Sequence, residues 1–202
     1  MLHEYNDIML VIETLDTTPS AAVLSIGAVK FNSDGLGEAF YARLDSSSQL
    51  PLGRTQSEAT GNWWAEQSDA ARAEVFVMPE WTNPMTLLKF SQFFDHDDYN
   101  VWGNGSAFDN VIVKSLFCTY GFTLPWKYNK NRCLRTIRET VYGNFPFLKD
   151  DQIKPELAHH ALSDAKAQAL DLLRIEARTQ IILMVDMADT AQVEQFKNQG
   201  SL

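Results

Sequence analysis

Apolar residues run unbroken from residue 8 to residue 12 before the chain reaches Glu13, and a second apolar stretch, residues 21–31, carries Gly27 near its middle. Runs that are continuous rather than alternating predict strands buried on both faces. Asp34, Gly35 and Gly37 then supply turn chemistry ahead of a third expected strand over about 38–44. Strands this close in sequence are expected to pair antiparallel, as a three-stranded meander.

Past residue 45 the pattern changes. Residues 45–62, rich in Ser, Gln, Gly and Pro, read as an irregular surface connection, and a helix is expected over about 63–73. Asn83 as a cap with Pro84 at the first helical position opens another, with Met85, Leu88, Phe90, Phe93 and Phe94 as its apolar surface and an end near His96. A short strand over 99–102, the turn Gly103-Asn104-Gly105, and Ser106 as the cap of a helix that reaches Tyr120 and stops at Gly121 follow. Strand, glycine turn and helix in that order make the βα unit of a sheet with parallel members. Residues 127–138 lead through a short strand into a helix near Tyr142, and 144–158 read as irregular. A longer helix is expected over 161–178, with one or two short helices beyond it, a C-terminal extension over 176–202. Neither a repeat nor a linker divides the chain, so a single α/β domain over 1–202 is expected.

Composition narrows the functional classes. Hydrophobic residues make up 45% of the chain, ample for one core, and the formal charge is −9. Such a balance argues against a protein that coats nucleic acid through bulk electrostatics. It is compatible with an enzyme that holds a few nucleotides, because a carboxylate cluster that binds divalent cations itself adds negative formal charge. The longest aliphatic runs, 8–12 and 181–185, fall far short of the roughly 20 apolar residues that cross a bilayer. His3, Glu4 and Asp7 at the start do not resemble a signal peptide, so a cytoplasmic protein without a membrane partner is expected. Cys118 and Cys133 form no CxxC and no Cys/His cluster, and read as free thiols.

Several polar residues stand in unusual places. Glu13 closes a buried strand, Asp109 opens a helix after a central strand, and His159 and Asp164 have the spacing H-x4-D at the start of a late helix. Each has an ordinary explanation: a charge emerging into solvent, or an acid favouring a helix N-terminus. Together, in this order and context, they match the DEDDh exonucleases. The stretches MLVIETLDTTPSAAVLSIGAVKF, VWGNGSAFDNVIV and HHALSDAKAQA resemble that family over about residues 7–175, and WWAEQSDAAR with CLRTI resembles its phage and bacterial exonuclease branch, similar to ribonuclease T and adenylate-preferring exoribonucleases.

The resemblance implies a ribonuclease H-like mixed sheet, three antiparallel strands followed by parallel ones, flanked by helices, and metal-dependent 3′-to-5′ exonuclease activity. Glu13 and Asp164 then correspond to metal ligands, Asp109 to an outer or water-mediated ligand, and His159 to the general base, with His160 a bystander. Two divalent ions, Mg²⁺ or Mn²⁺, fit the donor set, since hard cations prefer carboxylate oxygens, and an imidazole accepts a proton near neutral pH. The family pattern at the first strand is D-x-E, and here it reads Val11-Ile12-Glu13. Asp7 shares the strand parity of Val11 but lies roughly 13 Å away at about 3.3 Å per residue, and Asp16 lies beyond the strand. The lost ligand is the one that normally touches both ions, so the second ion is expected to bind weakly and the chain to be catalytically impaired, whether Val11 is natural or introduced.

For substrate, Trp63, Trp64 and Phe108 offer stacking surfaces for unpaired bases or serve the core. Thr14 and Leu15 follow the Glu13 motif as further substrate contacts. Lys127, Lys130, Arg132, Arg135 and Arg138 form the one basic concentration, either facing phosphates, Arg135 foremost, or lying in solvent. The resemblance implies a single-stranded 3′ end of DNA or RNA as partner, a homodimer, and the cytoplasm of a bacterium or phage-infected host. A binding module that has lost turnover and a phosphodiesterase acting on dinucleotides or free nucleotides remain the alternatives.

Overall fold

The computed structural model describes residues 5–199. Strands β1 (Asp7–Thr14), β2 (Val23–Asn32) and β3 (Gly35–Arg43) pair antiparallel as the meander requires. β4 (Asn100–Gly103) joins the free edge of β1 in parallel, and β5 (Asn131–Cys133) pairs in parallel with β4, giving the order β3-β2-β1-β4-β5. The result is a mixed α/β sheet with helices on both faces, the arrangement that the sequence resemblance implies.

β1 lies at the centre and is buried along its length because alternate residues serve two separate cores. Ile8, Leu10 and Ile12 pack in a cluster with Leu87, Phe90, Ile112 and Leu116, from helices α3 (Asn83–Phe93) and α4 (Asp109–Thr119). Met9 and Val11 face the other way, in a cluster with Leu134 of α5 (Leu134–Asn144) and with Ala161, Ala165, Ala169 and Leu172 of α6 (Ala161–Gln199). The alanines recur at helical spacing and let α6 lie close against the sheet. Contact is tightest at Gly27, paired with Val11 across β1 and β2, where an added Cβ would stand 2.2 Å from the backbone of Ala161 and Leu162.

Several expected elements are corrected. The single helix over 63–73 is two, α1 (Glu58–Ala65) and α2 (Asp69–Val75), because Ser57 and Ser68 each cap a separate start by accepting the N–H of Thr60 and Ala71 at 3.2 Å. The irregular connection therefore ends earlier, at Ser57. Asn83 is not a cap; its buried side chain accepts the Asp45 N–H and donates to Asp45 O, Ser48 and Tyr120, tying α3 to the loop after β3. Pro84 is accordingly the second helical residue, Met85 and Leu88 face solvent, and α3 ends at Phe93 rather than His96. Ser106 caps nothing: Phe108 and Asp109 both donate their N–H to Gly105 O, a tight turn that delays α4 to Asp109. α5 starts well before Tyr142, directly from β5. α6 continues unbroken to Gln199 in place of the expected short helices, with no Gly or Pro from 161 to 199 to stop it.

A buried ion cluster holds α5 to α6. Asp171 is fully buried and its carboxylate accepts from Arg138 and Arg174, each at 2.8 Å, and from the Ile153 N–H at 3.4 Å. Among the described residues no helix is long and apolar enough to cross a membrane.

Candidate active site

β1 and β4 pair only from Asp7 to Met9 on the β1 side, so beyond Met9 their C-terminal ends diverge and leave a crevice. Clefts at the carboxyl ends of parallel strands where the strand order reverses are where α/β sheets hold ligands. Here the crevice opens into a cavity of about 730 Å³ lined by Val11, Glu13, Asp109, His159 and Asp164 together with Trp63, Trp64, Phe108 and Arg135.

Each charged residue is placed by its own element. Glu13 follows Val11 by two along β1 and so shares its face, toward α6. Asp164 sits in the first turn of α6, where the close Gly27 contact brings the helix start down to the strand end. His159, two residues before α6, has φ +63, a backbone state few non-glycine residues adopt, and its N–H donates to Asp164 Oδ2 at 2.9 Å. Glu13, His159 and Asp164 each offer one ligand atom within 4.8 Å of the others. Asp109 stands apart from that trio on the α4 side: the crevice frees the Ile12 N–H, which donates to Asp109 Oδ1 at 3.3 Å. Gly103 makes that approach possible, since a Cβ there would lie 3.0 Å from Asp109 Oδ2 and 2.7 Å from Asn110 Oδ1.

Three carboxylic acids share this space. Burial first, then the Asp164 and Asp109 carboxylates, pushes Glu13 up to about 8. Burial raises Asp109 to about 7 against the opposing Ile12 N–H bond and Arg135, and burial raises Asp164 against the His159 N–H bond. Burial and mutual repulsion disfavour the charged forms of acids this close together, and a divalent cation held between them would offset both. The residues therefore fit a divalent metal, with Glu13 and Asp164, beside His159, as the donors that would hold it.

The remaining expected residues separate. Trp63 is exposed on the cavity wall, its ring edge-on to His159 at 4.8 Å. Trp64 is buried behind it and donates its indole N–H to Thr14 O at 2.9 Å. Thr14 lines the cavity, but its hydroxyl is engaged with Asp16 O at 2.7 Å. Leu15 lies outside the lining, packed with Leu24, Trp64 and Val75. Phe108 lines the cavity while resting on the core. Of the basic residues only Arg135 reaches the cavity, donating to Asn104 O at 3.0 Å. Lys127 and Lys130 pair with Asp97 and Asp98, Arg138 with Asp171, and Arg132 donates to the carbonyls of Asn129 and Asn131.

Asp7 and Asp16, the acids nearest the gap in sequence, are occupied elsewhere. Asp7 accepts from Asn100 and Trp102 at the other end of β1, and Asp16 from the Thr17 N–H. Sequence reasoning missed Thr17, Ser57, Thr60 and Asn104, which also line the cavity. Ser57 followed by Glu58 is a helix-start signal that would have placed α1 there; the other three leave no trace in the pattern.

Comparison with known proteins agrees with this geometry. E. coli exonuclease I in complex with a dT13 oligonucleotide superposes with TM-score 0.61 at 14% identity, over 88% of this chain and 42% of that one. The nuclease domain of 3′hExo, a DEDDh family member bound to rAMP, gives 0.54 at 13% identity, over 88% of this chain and 95% of that one. Cell-death related nuclease 4 gives 0.55 at 14% identity, over 85% and 64%. This chain thus spans about two fifths of exonuclease I, and at such identities these likenesses establish the fold. No curated protein matches the chain by sequence. The family model described as the 3′-5′ exoribonuclease Rv2179c-like domain matches residues 6–175, which takes in β1, the crevice and the first turns of α6, and the chain belongs to that family.

Proposed function

We propose that the chain is built to remove nucleoside monophosphates one at a time from the 3′ end of single-stranded RNA or DNA, and that Val11 leaves it impaired. The observation that carries this reading is the convergence of Glu13, His159 and Asp164 within 4.8 Å at the floor of a cavity walled by Trp63. In this reading Trp63 stacks on the terminal base and Arg135 meets the scissile phosphate on the 5′ side of that nucleotide. His159 takes a proton from the attacking water as its oxygen bonds to phosphorus and the bond to the 3′ oxygen of the preceding nucleotide breaks. Divalent cations, Mg²⁺ or Mn²⁺, when bound supply charge neutralisation at the attacking and leaving oxygens. Glu13 and Asp164 orient that centre and Asp109 supports it from the α4 side. Position 11 is where a shared carboxylate belongs, so the second ion is the one weakened.

Val11 also favours a second reading, in which the chain binds single strands without cutting them. Binding of a labelled oligonucleotide by a chain that gains no activity from Val11→Asp would select it. The resemblance further implies a homodimer working in the cytoplasm of a bacterium or an infected host.

The test compares the chain with Val11→Asp on 5′-labelled single-stranded RNA and DNA in Mg²⁺ and in Mn²⁺. Val11→Asp is expected to shorten the label stepwise from the 3′ end, and adding His159→Ala should return activity close to the starting level, since members of one catalytic unit are strongly non-additive. No cation-dependent shortening on either nucleic acid, or full activity without His159, contradicts the reading.

A further inference from the structure

His160 lies outside the cavity lining, yet it is tied at three points. Its Nδ1 accepts the Ser163 backbone N–H at 3.1 Å, its ring stacks on Tyr41 with centroids 4.4 Å and planes 22° apart, and its Nε2 stands 3.6 Å from Glu74 Oε1. Because Nδ1 accepts, the ring proton sits on Nε2, toward that carboxylate. Glu74 is fixed in turn by the Tyr41 hydroxyl at 3.1 Å and by Arg43 Nη1 at 2.9 Å. The ties come from three elements: Tyr41 and Arg43 from β3, Glu74 from α2, and Ser163 from the first turn of α6.

A helix cap alone asks for much less. Ser, Thr, Asp and Asn do that work commonly, with a short side chain that reaches only the helix N-terminus. Here the capping group is an aromatic ring wedged between a strand and another helix. The residue before it is His159 with φ +63, a conformation that persists only where the surroundings fix it. The residue four after it is Asp164, whose N–H donates to His160 O at 2.9 Å. His159 and Asp164 thus hang on a backbone turn that His160 clamps from outside the cavity.

We propose that His160 is a positioning residue: it holds the turn that aims the His159 ring and the Asp164 carboxylate at Glu13, and it acts through Tyr41 and Glu74 as well as through the helix cap. The inference rests on the reading of His159 and Asp164 as site residues. Its test needs neither substrate nor turnover, so failure of the cleavage experiment and failure of this one are told apart.

The experiment follows the His159 ring by ¹H–¹³C NMR in the chain as it exists, together with thermal melting, for His160→Ala, His160→Asn and Glu74→Ala. Four histidines are present, and a His159→Gln spectrum assigns the signal. Asn at position 160 restores an acceptor for the Ser163 N–H but reaches neither Tyr41 nor Glu74. His160→Ala is expected to lower Tm and to shift and broaden the His159 signal. His160→Asn should recover most of the Tm and leave that signal displaced, and Glu74→Ala should displace it in the same direction without touching α6. A His159 signal unchanged in His160→Ala, or fully restored by His160→Asn, is what a simple cap would give and overturns the proposal. Should His160→Ala fail to fold, the other two variants decide: an unmoved signal in both overturns it equally.

Discussion

Val11 is compatible with the fold and at odds with the chemistry around it. It packs in the apolar cluster under α6, 7% exposed, while on the same strand face Glu13 enters a group of buried acids. An aspartate in its place would trade apolar contact for a fourth carboxylate in that group. In the absence of divalent cations, Val11→Asp is therefore expected to melt below the starting chain, with a loss of about 1–3 kcal/mol. Excess Mg²⁺ or Mn²⁺ should reverse that order, because a ligand that binds only the folded state stabilises it by an amount that grows with the logarithm of its concentration over Kd. Thermal melts of both chains, with chelator and with cation, check this. An equal cation-induced rise in Tm for the two chains would mean that position 11 has no part in cation binding.

At the scale of elements, the site depends on how low α6 sits on the sheet. Gly27→Ala should force the helix start away from β2 and cost about 3 kcal/mol, at the upper end for an overpacked core, and it should weaken Mn²⁺ binding because Asp164 moves with the helix. Gly143→Ala in α5, where an added Cβ meets nothing, is the control and should be neutral or stabilising by up to about 1 kcal/mol. Chemical denaturation and Mn²⁺ titration of the two variants check the contrast; equal stability in both would remove the close contact from the account. The same level shows what the chain pattern discloses. β1 and β2 were legible because a strand buried on both faces reads as an apolar run, and the placement of Glu13, Asp109, His159 and Asp164 was legible because their order matches a known family. The break between α1 and α2 was written in Ser68-Asp69 but hidden within an otherwise helical stretch. The turn of Asn83 into the core was not legible, since its partners Asp45, Ser48 and Tyr120 are distant in sequence. The role of His160 was hidden for the same reason: H-x4-D spacing marks His159, and only the fold brings Tyr41 and Glu74 to its neighbour.

For the whole molecule, a net charge of −9 and a cavity with one lining arginine give little bulk attraction for nucleic acid. On the proposed function, cations held between the acids would turn a repelling cluster into one that attracts a phosphate, so binding of metal and of substrate would be coupled. On the proposed function this cluster is a two-metal centre lacking the carboxylate its ions would share. Anomalous diffraction from crystals of the chain and of Val11→Asp, each soaked in Mn²⁺, tests it most directly. At most one well-occupied ion is expected against Glu13 and Asp164 in the chain as it stands, and two about 3.5–4 Å apart in Val11→Asp. Two fully occupied ions beside Val11, or none near Glu13 and Asp164 in either crystal, would contradict it.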